Sequence, residues 1–213
     1  MKLKWFGHSC FYIKSDAGTR IVTDPFDATV GYKVPDVQTD VVTISHSHYD
    51  HNYTRQLKGS FQIVNQQGEH EIKDIKIKGV NTYHDEVGGQ KRGSNIVFNL
   101  CIDGLNVCHL GDIGHLPDDR QVKDIGRADV LMIPVGGIFT IDADEALKVV
   151  EILKPEIIIP MHYKTPDLKF DLAKVNKFID KMGIQNLLKL GEFEIEKDNI
   201  EEYKGKVIVM EYK

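Results

Sequence analysis

The stretch Ser45-His46-Ser47-His48-Tyr49-Asp50-His51 places three imidazoles and a carboxylate within six consecutive residues. Such density points to metal, because neutral imidazole is the commonest protein ligand for Zn²⁺ and its neighbours, and a carboxylate adds charge. On an extended backbone side chains alternate, so His46 and His48 project to the same side and can share one cation. Asp50 and His51 come where a tight turn swings the chain aside, which suits them to a second cation beside the first. The run directly follows the apolar, strand-like segment Asp40-Val41-Val42-Thr43-Ile44, and loops held at strand ends are where binding groups concentrate. A solvent loop that merely happens to be rich in histidine does not account for that placement. A two-cation site needs further histidines and a bridging carboxylate, and both follow downstream.

Thr82-Tyr83-His84-Asp85-Glu86 sets His84 at the end of a β-like run, before the Gly-rich, cationic loop Gly88-Gly89-Gln90-Lys91-Arg92-Gly93, which reads as a flexible pocket rim. Two β-like runs over 95–102 and 106–110 form a hairpin around Asp103-Gly104-Leu105 and deliver Gly111-Asp112-Ile113-Gly114-His115. Asp112 lies where a strand gives out, among glycines that let backbone approach an ion, and is the natural bridging carboxylate. An Asp turn or helix cap is the alternative. A buried-strand pattern over 130–135 leads to Gly136-Gly137, and a helix opens at Asp142 with Glu145 three residues on, the pattern of a capping box. The strand over 156–159 runs into Pro160-Met161-His162-Tyr163-Lys164, so His162 closes the series. A second helix is predicted over 171–182, with β-like runs over 187–190, 193–195 and 207–211.

Upstream, short β-rich runs over 3–6, 10–13 and 20–23, with the turn signal Asp16-Ala17-Gly18-Thr19, predict a β-meander. His8 and Asp24 stand where the first and third runs break off, and both can reach a metal centre as hydrogen-bond partners that orient its ligands. A satisfied buried polar residue is the equal alternative for each. Between the His-rich loop and His84, a helical turn over 52–57, a strand over 61–65 and a strand pair across 71–80 are expected.

Composition narrows the class. No linker, repeat or low-complexity tract divides the 213 residues, so one domain spanning 1–213 is expected. The opening Met1-Lys2-Leu3-Lys4-Trp5 lacks the apolar core of a signal peptide and no run is long enough to span a bilayer, which predicts a cytoplasmic protein. Cys10, Cys101 and Cys108 have no paired spacing and read as small hydrophobes. A net charge of −5 argues against a general nucleic-acid surface and for a small-molecule substrate. Assembly into a homo-oligomer stays open.

In this order the residues resemble the metallo-β-lactamase superfamily, whose His-x-His-x-Asp-His signature stands here as His46-Ser47-His48-Tyr49-Asp50-His51, followed by His84, Asp112 and His162. Trp5-Phe6-Gly7-His8-Ser9, Thr23-Asp24-Pro25, Val135-Gly136-Gly137 and Pro160-Met161-His162-Tyr163 look most like the small hydrolases related to the ascorbate-6-phosphate lactonases. The phospholipase-D-type enzymes that cleave N-acyl phosphatidylethanolamine share the same start. The resemblance implies an α/β fold, a four-layer αβ/βα sandwich of two sheets with helices outside. It also implies two divalent ions, Zn²⁺ foremost with Mn²⁺ or Fe as alternatives, one held by His46, His48 and His84 and the other by Asp50, His51 and His162, with Asp112 bridging. Asp112 stands where true β-lactamases commonly carry Cys, which argues against β-lactam hydrolysis. His48 in place of Glu argues against the di-iron oxygen-reducing branch.

The chemistry expected of such a site is hydrolysis of a small ester, lactone or phosphoester by a water that the two cations acidify, with Asp50 orienting it. His115, Tyr163 and His8 are the candidates for donating the leaving-group proton. Lys91, Arg92 and Lys164 are the candidates for gripping an anionic group. An RNA-processing nuclease of the same superfamily and a non-catalytic metal-binding module are the rival readings.

Overall fold

The meander forms as its alternation predicts: β1 (Lys2–Gly7), β2 (Cys10–Lys14) and β3 (Arg20–Thr23) pair antiparallel in that order. The computed structural model describes residues 1–183 and 187–212. β4 (Val41–Thr43) and β5 (Gln62–Val64) then add in parallel beside β3. β3 and β4 are apolar on both faces and both faces are covered. Ile21 and Val41 join the main core, whereas Val22 and Val42 join a second cluster with Phe26, Val30, Tyr32, Leu168 and Leu172. Those last five come from loops, so on this side the outer layer is loop rather than helix.

The second sheet begins with two hairpins, β6 (Gly68–Ile72) with β7 (Ile75–Tyr83) and β8 (Ser94–Ile102) with β9 (Leu105–His109). The chain continues through α1 (Asp119–Ile125), β10 (Val130–Pro134), α2 (Ala143–Leu153), β11 (Ile157–Met161), α3 (Asn176–Met182), β12 (Leu187–Leu190), β13 (Phe193–Glu194), a 3₁₀ helix over Lys197–Tyr203 and β14 (Lys206–Met210). β10 and β11 are buried at every position, as central parallel strands covered on both faces must be. The strand orders are β13-β1-β2-β3-β4-β5 and β12-β14-β11-β10-β9-β8-β7-β6. Two mixed sheets, flanked by helices apart from the loop-covered face of the first, make the αβ/βα sandwich that the resemblance implies.

α2 opens as its sequence predicts: Asp142 accepts from the Glu145 N–H at 3.0 Å, and Glu145 accepts from the Asp142 N–H at 3.0 Å. The same reciprocal box, Asp118 with Gln121, starts α1, which the reading of the sequence did not include. The helix predicted over 171–182 is confined to α3. Leu172 turns into the second cluster, and Ala173 bonds outward, its N–H to the Gly136 carbonyl and its own carbonyl from the Lys164 N–H. The helical turn predicted over 52–57 is a single turn over 54–57, closed by the Leu57 N–H on the Thr54 carbonyl, while the Tyr53 N–H donates to the Pro25 carbonyl.

β1 and β3 run parallel to each other across β2, and β4 runs with them; β7, β9, β10 and β11 likewise share one direction. Every expected ligand lies just beyond the carboxyl end of one of these strands, where α/β sheets place their ligands.

At the opposite end of β3 and β4, Asp40 clamps the sheet. It accepts from Arg20 Nε at 2.8 Å and Nη2 at 3.0 Å, and from Lys73 Nζ at 2.7 Å. The Arg20 guanidinium, with Lys73 behind it, holds the Asp40 carboxyl far below the carboxylate range. Asp40→Asn is expected to cost about 1–2 kcal/mol at pH 7, the worth of charge-assisted bonds discounted for the exposure of both cations. Because the folded-state pKa is lowered, this stability is present above the ordinary carboxylate pKa of about 3.9 and fades as pH falls below it. Urea unfolding should therefore show the gap between the two proteins at pH 7 and its narrowing by pH 3; a constant gap would contradict the ion-pair origin.

Candidate metal centre

Residues from the ends of three strands converge on a carboxylate at the end of a fourth. Asp112 Oδ2 lies 3.1 Å from His162 Nε2, 3.2 Å from His51 Nε2, 3.3 Å from His84 Nε2 and 4.0 Å from His46 Nε2. The turn that presents it requires glycine: Gly111 has φ 56, and a Cβ there would meet Asn95 Oδ1 at 2.3 Å and the Ser45 Cβ at 2.6 Å. Asn95, from β8, accepts the Asp112 N–H at 2.9 Å and donates to the Leu110 carbonyl at 2.9 Å. His109 accepts the Gly111 N–H on Nδ1, so its Nε2–H donates to the Ser9 carbonyl at 2.8 Å and ties β9 to the loop after β1. Neither Asn95 nor His109 was singled out in the sequence, where a lone polar residue within a strand carries no local pattern.

Around Asp112 the donor atoms fall into three neighbouring groups: His46, His48 and His84; Asp50, His51 and His162, joined by His8; and, between them, His46, His51 and Asp112. Asp24 controls two of these imidazoles. Its carboxylate accepts the Ser45 N–H at 2.7 Å, the Ser45 hydroxyl at 2.6 Å and His51 Nδ1–H at 3.0 Å. Ser45 Oγ in turn accepts His46 Nδ1–H at 2.9 Å. A carboxylate can only accept, so both rings are held with Nε2 unprotonated and facing Asp112. His8 Nε2 meets Asp50 Oδ2 at 3.1 Å. His8, Asp24 and His162 have φ of 55, 39 and 51, strain that costs on the order of 1–3 kcal/mol per residue and concentrates at functional sites. Gly136 makes room for it, since a Cβ there would lie 2.2 Å from the His162 carbonyl oxygen.

The electrostatics call for positive charge. Burial pushes His46 down to about 3 and His8 down to about 4, with neighbouring imidazoles adding to the effect, and burial also lowers His48. These rings are neutral at pH 7, as ligands must be. Burial would raise Asp112, but His162 and His51 hold it well below the carboxylate range. Burial would lower His51, yet the Asp112 carboxylate holds it well above the imidazole range. His46 Nε2, His51 Nε2 and Asp112 Oδ1 are buried without a hydrogen-bond partner, a cost that proteins avoid unless something else is bound. Divalent cations satisfy both needs, and a set of imidazoles with carboxylates suits Zn²⁺ and its neighbours.

A family model for the beta-lactamase superfamily domain matches residues 2–162. The chain belongs to that superfamily. A crystal structure from Thermotoga maritima, proposed as a Zn-dependent hydrolase of the metallo-β-lactamase superfamily, is 41% identical over 100% of this chain and 99% of its own, with a TM-score of 0.82. Metal-dependent hydrolases from Thermoplasma volcanium and Nanoarchaeum equitans are 27% and 29% identical, each over 88% of this chain and over 91% and 96% of their own. This member of the superfamily is thus a metal-dependent hydrolase.

The cluster opens on a cavity of about 350 Å³, lined by His48, Asp50, His84, Asp112 and His162 with Tyr49, Arg92, Phe139 and Phe170. Of the three cations expected at its mouth, Arg92 alone lines it. Lys91 pairs with Glu86. Lys164 donates to the Leu168 and Phe170 carbonyls at 2.7 Å each, so its charge shapes the loop that carries Phe170 and is not offered to a substrate. Nor is the Gly-rich loop free to fold over the site. Buried Asp85 accepts four backbone N–H groups, from Val87, Gly89, Lys91 and Arg92, at 2.7 to 3.0 Å. Burial would raise its carboxyl, and those donors, led by the Arg92 N–H, hold it at about 2. The reading of the sequence gives Asp85 no role; its position directly after His84 and before three glycines was the available signal. The two outer candidates for proton donation are engaged elsewhere. His115 Nε2 accepts the Tyr83 N–H at 3.1 Å, and Tyr163 is buried against Trp5 at 5.2 Å between ring centroids, its hydroxyl pushed up by burial.

Proposed function

We propose that this hydrolase is binuclear and cleaves a small ester, lactone or phosphoester that carries an anionic group. The observation that carries the reading is the Asp112 carboxylate, met by three imidazole nitrogens within 3.3 Å and flanked on either side by a ligand group. His46, His48 and His84 would hold one ion, and Asp50, His51 and His162 the other. Asp112 would bridge them. Zn²⁺ suits the set best, with Mn²⁺ or Fe as alternatives. Bound there, the ions supply a Lewis acid for the carbonyl or phosphoryl oxygen and lower the pKa of the attacking water.

The chain's own groups do the rest. Asp50, on the cavity wall, orients the attacking water, and His8 fixes that carboxylate through the 3.1 Å contact. Asp24 and Ser45 hold the His51 and His46 rings in register. Arg92, fixed by the Asp85 loop, grips the anionic group. Tyr49, Phe139 and Phe170 give the mouth apolar walls that limit water.

The test is a comparison of metal-free and metal-loaded protein on a phosphodiester, a lactone, a carboxylic ester and a structured RNA. Metal-dependent turnover of one small-molecule class is expected; cleavage of the RNA alone would replace this reading with a nuclease. Arg92→Ala is expected to raise KM for an anionic substrate about tenfold, the worth of a charge-assisted hydrogen bond, and to leave a neutral analogue nearly unchanged. Equal effects on both would remove the anion from the proposal.

A further inference from the structure

Beside the metal-facing cavity lies a second one of about 530 Å³. The two share His48 and Arg92 and otherwise have different walls. The first is aromatic, with Tyr49 and Phe170 edge-on at 6.4 Å and the Arg92 guanidinium over the Phe139 ring at 5.4 Å. The second is polar, with Ser47, Asn52, Asn65 and Ser94 among its lining. Each is of a size that holds a small organic group. Tyr49 is 55% exposed and Phe139 39% exposed. Single exposed aromatics are ordinary, but these two line one cavity beside a buried ligand cluster, where apolar surface marks a binding site. The Arg92 backbone between the cavities is pinned, since its N–H is one of the four bound by Asp85.

Resting on the hydrolase reading above, we infer that the substrate has two arms: an aryl or alkyl arm against Tyr49, Phe139 and Phe170, and a hydroxyl-rich arm along Ser47, Asn65 and Ser94. The bond to be cleaved lies between them, at His48 and Arg92. The substrate class is then an aryl or alkyl phosphodiester of a polyhydroxy compound, its anionic phosphoryl group at Arg92. The aromatic walls take the arm that water rejects, and the polar groove supplies hydroxyl and amide partners for the arm that must leave water with its hydrogen bonds replaced.

Three phosphonates with uncleavable carbon–phosphorus bonds separate the arms: methylphosphonate, benzylphosphonate and 2,3-dihydroxypropylphosphonate. Their affinities for Zn²⁺-loaded protein are measured by calorimetry. Both arm-bearing probes should bind more tightly than methylphosphonate. Tyr49→Ala and Phe139→Ala should each weaken benzylphosphonate by about fivefold with little effect on the dihydroxypropyl probe. Asn65→Ala should do the reverse, by about fivefold for a lost hydrogen bond. Tyr49 and Asn65 are exposed, so truncating them leaves the fold intact. Equal losses for both probes in every variant, or no gain over methylphosphonate, would overturn the two-arm assignment. Turnover on the substrate panel is read separately: hydrolysis without the split refutes the arms alone, and the split without hydrolysis refutes the hydrolase reading alone.

Discussion

Asp112→Ala is expected to lower turnover by on the order of 10³-fold or more, and to leave the protein unable to retain both ions. Among the described residues, the carboxylate is the one anion that three inward-facing imidazoles approach within 3.3 Å. Removing it takes away the group that would hold two cations at a common spacing. It also leaves Asp50 as the carboxylate among the grouped donors, with less electrostatic pull on a cation. The fold should survive, because alanine is smaller and the turn is secured by Gly111, Asn95 and His109. Circular dichroism, metal content and initial rates on one preparation check all three points. Near-normal turnover with both ions retained would assign the bridge to another residue.

Asp24→Asn should weaken metal binding by about 10–100-fold, the usual cost of losing a group that orients a ligand. Asp24 accepts three hydrogen bonds, from two groups of Ser45 and from His51 Nδ1–H. An amide has only one oxygen to accept with, so either Ser45 or His51 would face an N–H donor. If His51 does, its ring must present Nδ1 as an acceptor and carry the proton on Nε2, the nitrogen that faces Asp112. The ion assigned to Asp50, His51 and His162 should therefore be lost first. Titration against a competing chelator measures this, and an unchanged affinity at both sites would show that the ring orientation is held by packing instead.

The clustered residues were legible in the sequence because metal binding demands a rare residue type at short spacing. His46, His48, Asp50 and His51 form one local pattern, and His84, Asp112 and His162 each follow a recognisable strand. Strand-rich halves and the capped helix at Asp142 were legible for the same reason, since period and caps are local. What the sequence hid depends on long-range partners. Lys164 and Arg92 look alike as isolated cations, yet one is consumed by the Leu168 and Phe170 carbonyls and the other faces the cavity. Asn95 and His109 matter only because the Gly111-Asp112 turn folds onto them. Residues 171–175 have helical composition, but Leu172 and Ala173 satisfy themselves against the second cluster and Gly136, so tertiary contacts override propensity. The Gly-rich loop read as mobile because the four N–H groups converging on Asp85 are a property of its backbone path, not of its composition.

The central claim is that the cluster around Asp112 holds a pair of cations. Elemental analysis of protein loaded with Zn²⁺ and freed of loosely bound metal tests it most directly. The geometry predicts about two ions per chain, falling to one or none when Asp112 is replaced by alanine. A fully active, saturated protein that retains no more than one ion per chain would contradict the binuclear centre.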